Sequence, residues 1–208
     1  NSTWTSNPSS ITLVKDGGNA VSQIVYVRLK AGLSAGNYNG ETIVFTSIGV
    51  TPIPTVTCSG GVTGIFYYSG SGSLATIANW GTATDGSGAN PVNFNADFQK
   101  FIIRNTTVVS TDAVWTVSGT GSRIIVGDPT QVGLTLTIVN GFGIAGTMDI
   151  TAASSGANSV IVQEFTVQPT FGLLDDNSEV HFQNESATQF DILGNYTYGK
   201  MFVDGVGT

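Results

Sequence analysis

The chain holds one cysteine, Cys58, and one histidine, His181, in 208 residues. A lone thiol makes no internal disulfide and no cysteine-rich zinc or iron–sulfur centre. A lone imidazole leaves little for metal chemistry and a single base for any nucleophilic triad. Charge is also scarce, at 10% of the residues against about 25% in an ordinary soluble domain. Basic residues are the rarer sign, 7 Lys and Arg against 14 Asp and Glu, for a net charge of -7. Nucleic acid binding draws on basic patches that displace counterions, so it is disfavoured. No apolar run approaches the roughly 18 residues that span a bilayer, and no membrane span is expected. The start at Asn1-Ser2-Thr3-Trp4 has no secretory leader pattern, so a mature product or an excised piece is expected.

Helical periodicity is nearly absent. Lys30 to Tyr38 is the one stretch with room for a helical turn, and Gly32 and Gly36 interrupt it. What is present is glycine, 27 residues, nearly twice the usual share of about 7%. Between the glycines run short β-branched and aromatic segments such as Ile24-Val25-Tyr26-Val27, Phe101-Ile102-Ile103 and Ser159-Val160-Ile161-Val162. The pattern predicts an all-β protein.

Its character changes near residue 62. Before that point the chain reads strand, turn, strand. Gly17-Gly18-Asn19 separates segments 11–15 and 23–29, and Gly36 to Gly40 leads into 41–46. Pro52 and Pro54 precede Thr55 to Ser59, which therefore begins at a sheet edge or bulge. Residues 1–62 are expected to form a small β-sandwich module. After residue 98, apolar triplets recur at 101–103, 115–117, 124–126, 136–138, 148–150, 160–162, 180–182, 190–192 and 201–203. Alternate triplets lie about 20 residues apart, the spacing of solenoid rungs. Their linkers are rich in Gly, Ser, Thr and Asn, and only Asn140-Gly141 has the form of a two-residue hairpin turn. A parallel β-helix is therefore expected over 63–208. Residues 65–98, with Ile65-Phe66-Tyr67-Tyr68, Trp80 and Phe94, are expected to cover its open end.

Several side chains are candidates for chemistry. Asp85-Gly86-Ser87-Gly88-Ala89-Asn90 places oxygens around glycines. Asp85, Ser87 and Asn90 are the candidate calcium ligands, because a hard cation takes several oxygens from one flexible loop. Calcium is the one cofactor considered, and an Asx turn is the competing state. Asp16-Gly17-Gly18-Asn19 is similar. Asp175-Asp176 is a paired carboxylate of the kind used in glycoside hydrolysis, but adjacent strand residues face opposite ways, so a solvated turn is expected. Asp149 and Asp191 stand inside triplets and are candidates to project from one face. His181 sits between Val180 and Phe182 and is expected to face solvent. Cys58 alternates with Val56 and is expected to pack as a small hydrophobe. Trp4, Trp80, Trp115, Tyr196 and Tyr198 are candidates for a sugar-stacking platform, with buried packing the default for a strand Trp. Tyr196 and Tyr198 share one face of Tyr196-Thr197-Tyr198 and are the candidate binding or interface residues.

The stretch Tyr26-Val27-Arg28-Leu29-Lys30-Ala31-Gly32-Leu33-Ser34-Ala35-Gly36-Asn37-Tyr38-Asn39-Gly40-Glu41 resembles a YVRLKAGLSAGxYxGE pattern. That pattern belongs to Ig-like modules of large secreted surface proteins from the Bacteroidota. Val56-Thr57-Cys58-Ser59-Gly60-Gly61-Val62 is similar to the run that closes such a module. Phe66 to Phe94 and Trp115 to Ser122 resemble the β-helical region of the same kind of protein. The resemblance implies a partial Ig-like β-sandwich followed by a parallel β-helix, with an extracellular place at the bacterial cell surface. It implies a non-enzymatic structural or adhesive role. Few residues precede Ile24, so the sandwich is expected to lack early strands, and no closing cap is evident after 201–203. A subunit that joins copies of itself, or neighbouring domains of a longer chain, by strand addition or end-to-end stacking is expected. The alternative is a carbohydrate-binding or carbohydrate-cleaving β-helix with surface glycans as partners.

Overall fold

The structure is a computed structural model, and the residues described are 27, 29, 32–33, 36–44, 55–152, 155–184 and 199–205. The segments 11–15 and 17–26, with Trp4, lie outside them. Two compact units divide the chain, Asn1–Ser34 and Ala35–Thr208. Among the described residues, every strand lies in the second unit.

That unit begins with an antiparallel ribbon. Strand β1 (Gly36–Asn37) pairs with β4 (Gly61–Val62), and β2 (Thr42–Val44) pairs with β3 (Thr55–Thr57). Between them Gly40 and Cys58 are joined through the backbone, N–H to O, at 3.1 Å. Cys58 is half-buried and its thiol is free.

From Gly64 onward the chain coils. Period-2 alternation of apolar residues gives each strand one buried row. Parallel pairing stacks those rows. The first face holds β5 (Gly64–Tyr68), β7 (Gln99–Ile103), β10 (Arg123–Val126), β13 (Thr147–Ile150) and β15 (Thr170–Leu174) in parallel. The two-residue β6 (Trp80–Gly81) lies antiparallel along β5. The second face holds β8 (Val108–Ser110), β11 (Thr135–Ile138), β14 (Ser159–Val162), β16 (Glu179–Asn184) and β17 (Lys200–Gly205). A short third face pairs β9 (Trp115–Thr116) with β12 (Ile144–Ala145). The result is a β-solenoid of about 4 turns, with no α-helix among the described residues and one 3₁₀ turn at Ile77–Asn79.

The predicted triplets supply the rungs. Phe101, Ile124, Met148 and Phe171 stand in register on the first face. Val109, Leu136, Val160, Val180 and Met201 do so on the second. Triplet 190–192 lies outside the described residues. Asn140-Gly141 turns a corner between β11 and β12, not a hairpin. Gly141 is at φ +84, and Phe142 N–H donates to Val139 O at 2.9 Å.

One core runs through the stack. Ile103, Ile124, Val126, Leu136, Ile138, Ile150, Val160, Val162 and Val180 are all fully buried. Toward the Gly64 end it contains an aromatic cluster. Trp80 stacks on Trp115 at 5.2 Å and meets the edges of Phe101 at 5.3 Å and Phe94 at 6.4 Å. Its indole N–H donates to Leu74 O at 2.9 Å. The sequence leaves open whether Trp80 and Trp115 form a sugar platform; both are core residues, 0% and 1% exposed.

Several polar side chains inside the corners are matched to backbone. Glu164, 5% exposed, is the clearest example. Its Oε2 accepts from Gly141 N–H at 2.5 Å, and its Oε1 accepts from Thr166 N–H at 2.5 Å and Val167 N–H at 3.3 Å. Burial pushes this carboxyl upward, but the backbone donors and the Thr166 hydroxyl outweigh it and hold Glu164 below its ordinary range. A depressed folded value stabilises the fold above the unfolded value of about 4.3 and loses that contribution as pH falls through the folded value. Glu164→Gln is expected to cost about 1–3 kcal/mol at pH 7. The difference from wild type should shrink in urea melts at progressively lower pH; a difference independent of pH would contradict the carboxylate's role.

Candidate functional site

The second face ends in a strand whose two sides carry different chemistry. In β16, Val180 and Phe182 are buried at 0% and 1%, and Glu179, His181 and Gln183 stand on the outer side. Strand β17 continues both rows in register. Lys200 lies over Glu179, Phe202 over His181 and Asp204 over Gln183. Met201 and Val203 lie over Val180 and Phe182.

On the outer side the rows interlock. Lys200 Nζ is 3.2 Å from Glu179 Oε1. His181 Nδ1 is 3.2 Å from Asp204 Oδ2, and its Nε2 is 3.5 Å from Glu179 Oε2. The imidazole stacks on Phe202 with centroids 4.4 Å apart and planes 12° from parallel. His181 thus faces outward, as its apolar neighbours predict. The Lys200–Glu179 pair is a quarter to half exposed, so it contributes roughly 0.2–1 kcal/mol at most. The larger effect of these contacts is on register. A one-residue slip of β17 would separate Lys200 from Glu179 and His181 from Asp204, and turn Met201 and Val203 outward.

On the inner side the row is left uncovered. Met201 is 47% exposed and Val203 54%, though each sits over a buried partner. Among the described residues, β17 is the outermost strand of its sheet. An edge strand that carries Met201, Phe202 and Val203 in a row, paired on one side only among the described residues, is a template for further pairing.

The other candidates take separate places. Asp85 and Ser87 come together: Ser87 N–H donates to Asp85 Oδ1 at 2.9 Å and its hydroxyl does so at 2.7 Å. These two bonds hold Asp85 below the usual carboxylate range. Asn90 turns away, its Nδ2 donating to Trp80 O at 2.6 Å. No group of three or more His, Cys, Asp or Glu suited to a metal occurs among the described residues. Asp175 and Asp176 lie at a turn after β15. Asp175 Oδ2 accepts from Ala152 N–H at 2.9 Å, across one rung, and Asp176 is exposed.

Asp149 projects from the first face. Its Oδ1 accepts from Leu173 N–H at 2.8 Å and lies 3.3 Å from Arg123 Nη1. It thereby serves an amide at the β-bulge between β13 and β15. On the same face Lys100 is exposed, and Arg104 lies 5.8 Å over the Tyr67 ring while pairing with Asp128 at 3.0 Å. Asp191, Tyr196 and Tyr198 lie outside the described residues. Sequence reasoning missed Lys200, Phe202 and Asp204. Their signal was the apolar triplet flanked by opposite charges in Lys-Met-Phe-Val-Asp, legible only once β17 is known to be the outermost strand of its sheet among the described residues.

No helix among the described residues is long and apolar enough to cross a membrane. No family model, curated protein or solved structure matches the chain.

Proposed function

We propose that the chain is a non-enzymatic structural module of an exported bacterial surface protein, a subunit that assembles by strand addition at β17. The observation that carries this is the uncovered inner row. Met201 and Val203 occupy core positions by register yet are about half exposed, and pairing at the edge would bury them. The solenoid suits a mechanically stable part, because each rung satisfies the backbone of its neighbours and the corners are sealed by side chains such as Glu164. The extracellular, adhesin-like assignment draws on the resemblance of Tyr26 to Glu41 to Ig-like modules of Bacteroidota surface proteins. In this reading residues 1–62 are a partial Ig-like β-sandwich, of which the described residues contribute one antiparallel ribbon, β1 with β4 and β2 with β3.

Sedimentation velocity over a concentration series tests the proposal. The expected result is a mass rising above the 21.5 kDa of one chain. Val203→Pro removes an edge N–H and should return the chain to a single-chain mass while the solenoid stays folded by circular dichroism. A wild-type chain that remains at 21.5 kDa throughout contradicts the assembly.

A further inference from the structure

We propose that β17 is a self-complementary edge at which two copies of this chain join antiparallel, about a two-fold axis through Phe202. This rests on the assembly reading above and specifies its partner.

The backbone fixes which groups are free. Lys200 N–H donates to Ser178 O at 2.9 Å, so Lys200 bonds toward β16. In a parallel ladder successive residues turn their amides to opposite sides. Phe202 and Asp204 therefore share the direction of Lys200, and Met201 and Val203 present N–H and C=O to the open side.

The side chains fix the partner. Read outward from Phe202, the strand has apolar neighbours, Met201 and Val203, and then opposite charges, Lys200 and Asp204. Antiparallel pairing with a second copy puts Lys200 opposite the partner's Asp204, Met201 opposite the partner's Val203, and Phe202 opposite its own equivalent. Met201 and Val203 then form the pairs that exchange both hydrogen bonds. Lys200 and Asp204 fall at the closer positions, about 4.5 Å between Cα atoms, where opposite charges stabilise the pair. The charge row already running from Glu179 to Lys200 at 3.2 Å continues to the partner's Asp204 with alternating sign. In-register parallel addition does the reverse, setting Lys200 against a lysine and Asp204 against an aspartate. A two-fold contact of this kind is isologous and closes at two chains. A filament needs a second contact elsewhere.

Charge exchange tests the geometry. Sedimentation equilibrium at low ionic strength would compare wild type with Lys200→Asp, Asp204→Lys, the double exchange, and an equimolar mixture of the two single variants. Each single reversal places like charges opposite each other twice and should weaken pairing roughly tenfold. The double exchange restores opposite signs and should recover most of the loss. The mixture should pair more tightly than either variant alone. Lys200→Gln and Asp204→Asn, which put no like charge beside Glu179 or His181, should each lose about threefold. Thermal melts by circular dichroism confirm that every variant is folded. If wild type assembles and all variants assemble equally well, or the double exchange is as weak as the singles, the two-fold pairing is wrong and the assembly reading stands. If wild type does not assemble, both fall.

Discussion

Trp80→Ala is expected to be the most damaging single substitution in the solenoid, costing about 3–5 kcal/mol. Trp80 is completely buried, and four rings lie within 6.4 Å of its own: Tyr68, Phe94, Phe101 and Trp115. Those neighbours are large and held by one another, since Phe94 also meets Phe101 at 5.1 Å and Trp115 at 5.6 Å. They have little freedom to fill the space, so most of the cavity would persist. Leu74 O would also lose its indole donor. For a chain of this size the loss corresponds to a fall in melting temperature of roughly 10 °C. Thermal unfolding followed by near-ultraviolet circular dichroism would measure it. Val92→Ala, at a site 88% exposed, should stay within about 0.5 kcal/mol of wild type. Comparable small effects at both sites would mean that the aromatic cluster does not hold this part of the core together.

Asn158→Ala should follow, at about 2–4 kcal/mol. The Asn158 side chain is fully buried at the corner before β14. Its Oδ1 accepts from Leu134 N–H at 2.9 Å, and its Nδ2 donates to Thr151 O at 2.6 Å and Gln131 O at 3.3 Å. Alanine would strand the buried Leu134 N–H and take the donor from the half-buried Gln131 and Thr151 carbonyls. Gly127 is the second half of this device. It sits at φ +81, and a Cβ there would run into Asn158 Nδ2. Gly127→Ala therefore meets both a left-handed backbone, worth about 1–2 kcal/mol, and a collision. In the Asn158→Ala background the collision with Asn158 is gone, so the added cost of Gly127→Ala should drop. Urea denaturation of the four proteins in a double-mutant cycle would show the coupling. Strict additivity would mean the two residues act independently.

The solenoid is legible in the sequence because its signal is local and repeated. Apolar triplets alternate inward and outward, and their spacing places Phe101, Ile124 and Met148 in one stack. Thr170–Leu174 is harder to read because Gly172 and a bulge interrupt the alternation there. Asn158 and Glu164 read as ordinary polar corner residues. Nothing in their type reveals depth, which comes only when successive corners stack. The candidate calcium loop shows the converse difficulty. Asp85 and Ser87 are close in the chain and close in space, but their mutual bonds are those of a turn, and Asn90 serves the backbone near Trp80. The edge at β17 needs the topology. Lys200 and Asp204 are ordinary charges until β17 is seen to be the outermost strand of its sheet among the described residues.

Completion of β17 by pairing at its free edge is tested most directly by residue-resolved amide hydrogen exchange at increasing protein concentration. Lys200 and Phe202 already bond toward β16 and should change little. Met201 and Val203 should exchange quickly when dilute and slow markedly as the concentration rises. Exchange at Met201 and Val203 that is independent of concentration, under conditions where the chain assembles, would place the contact elsewhere and contradict pairing at β17.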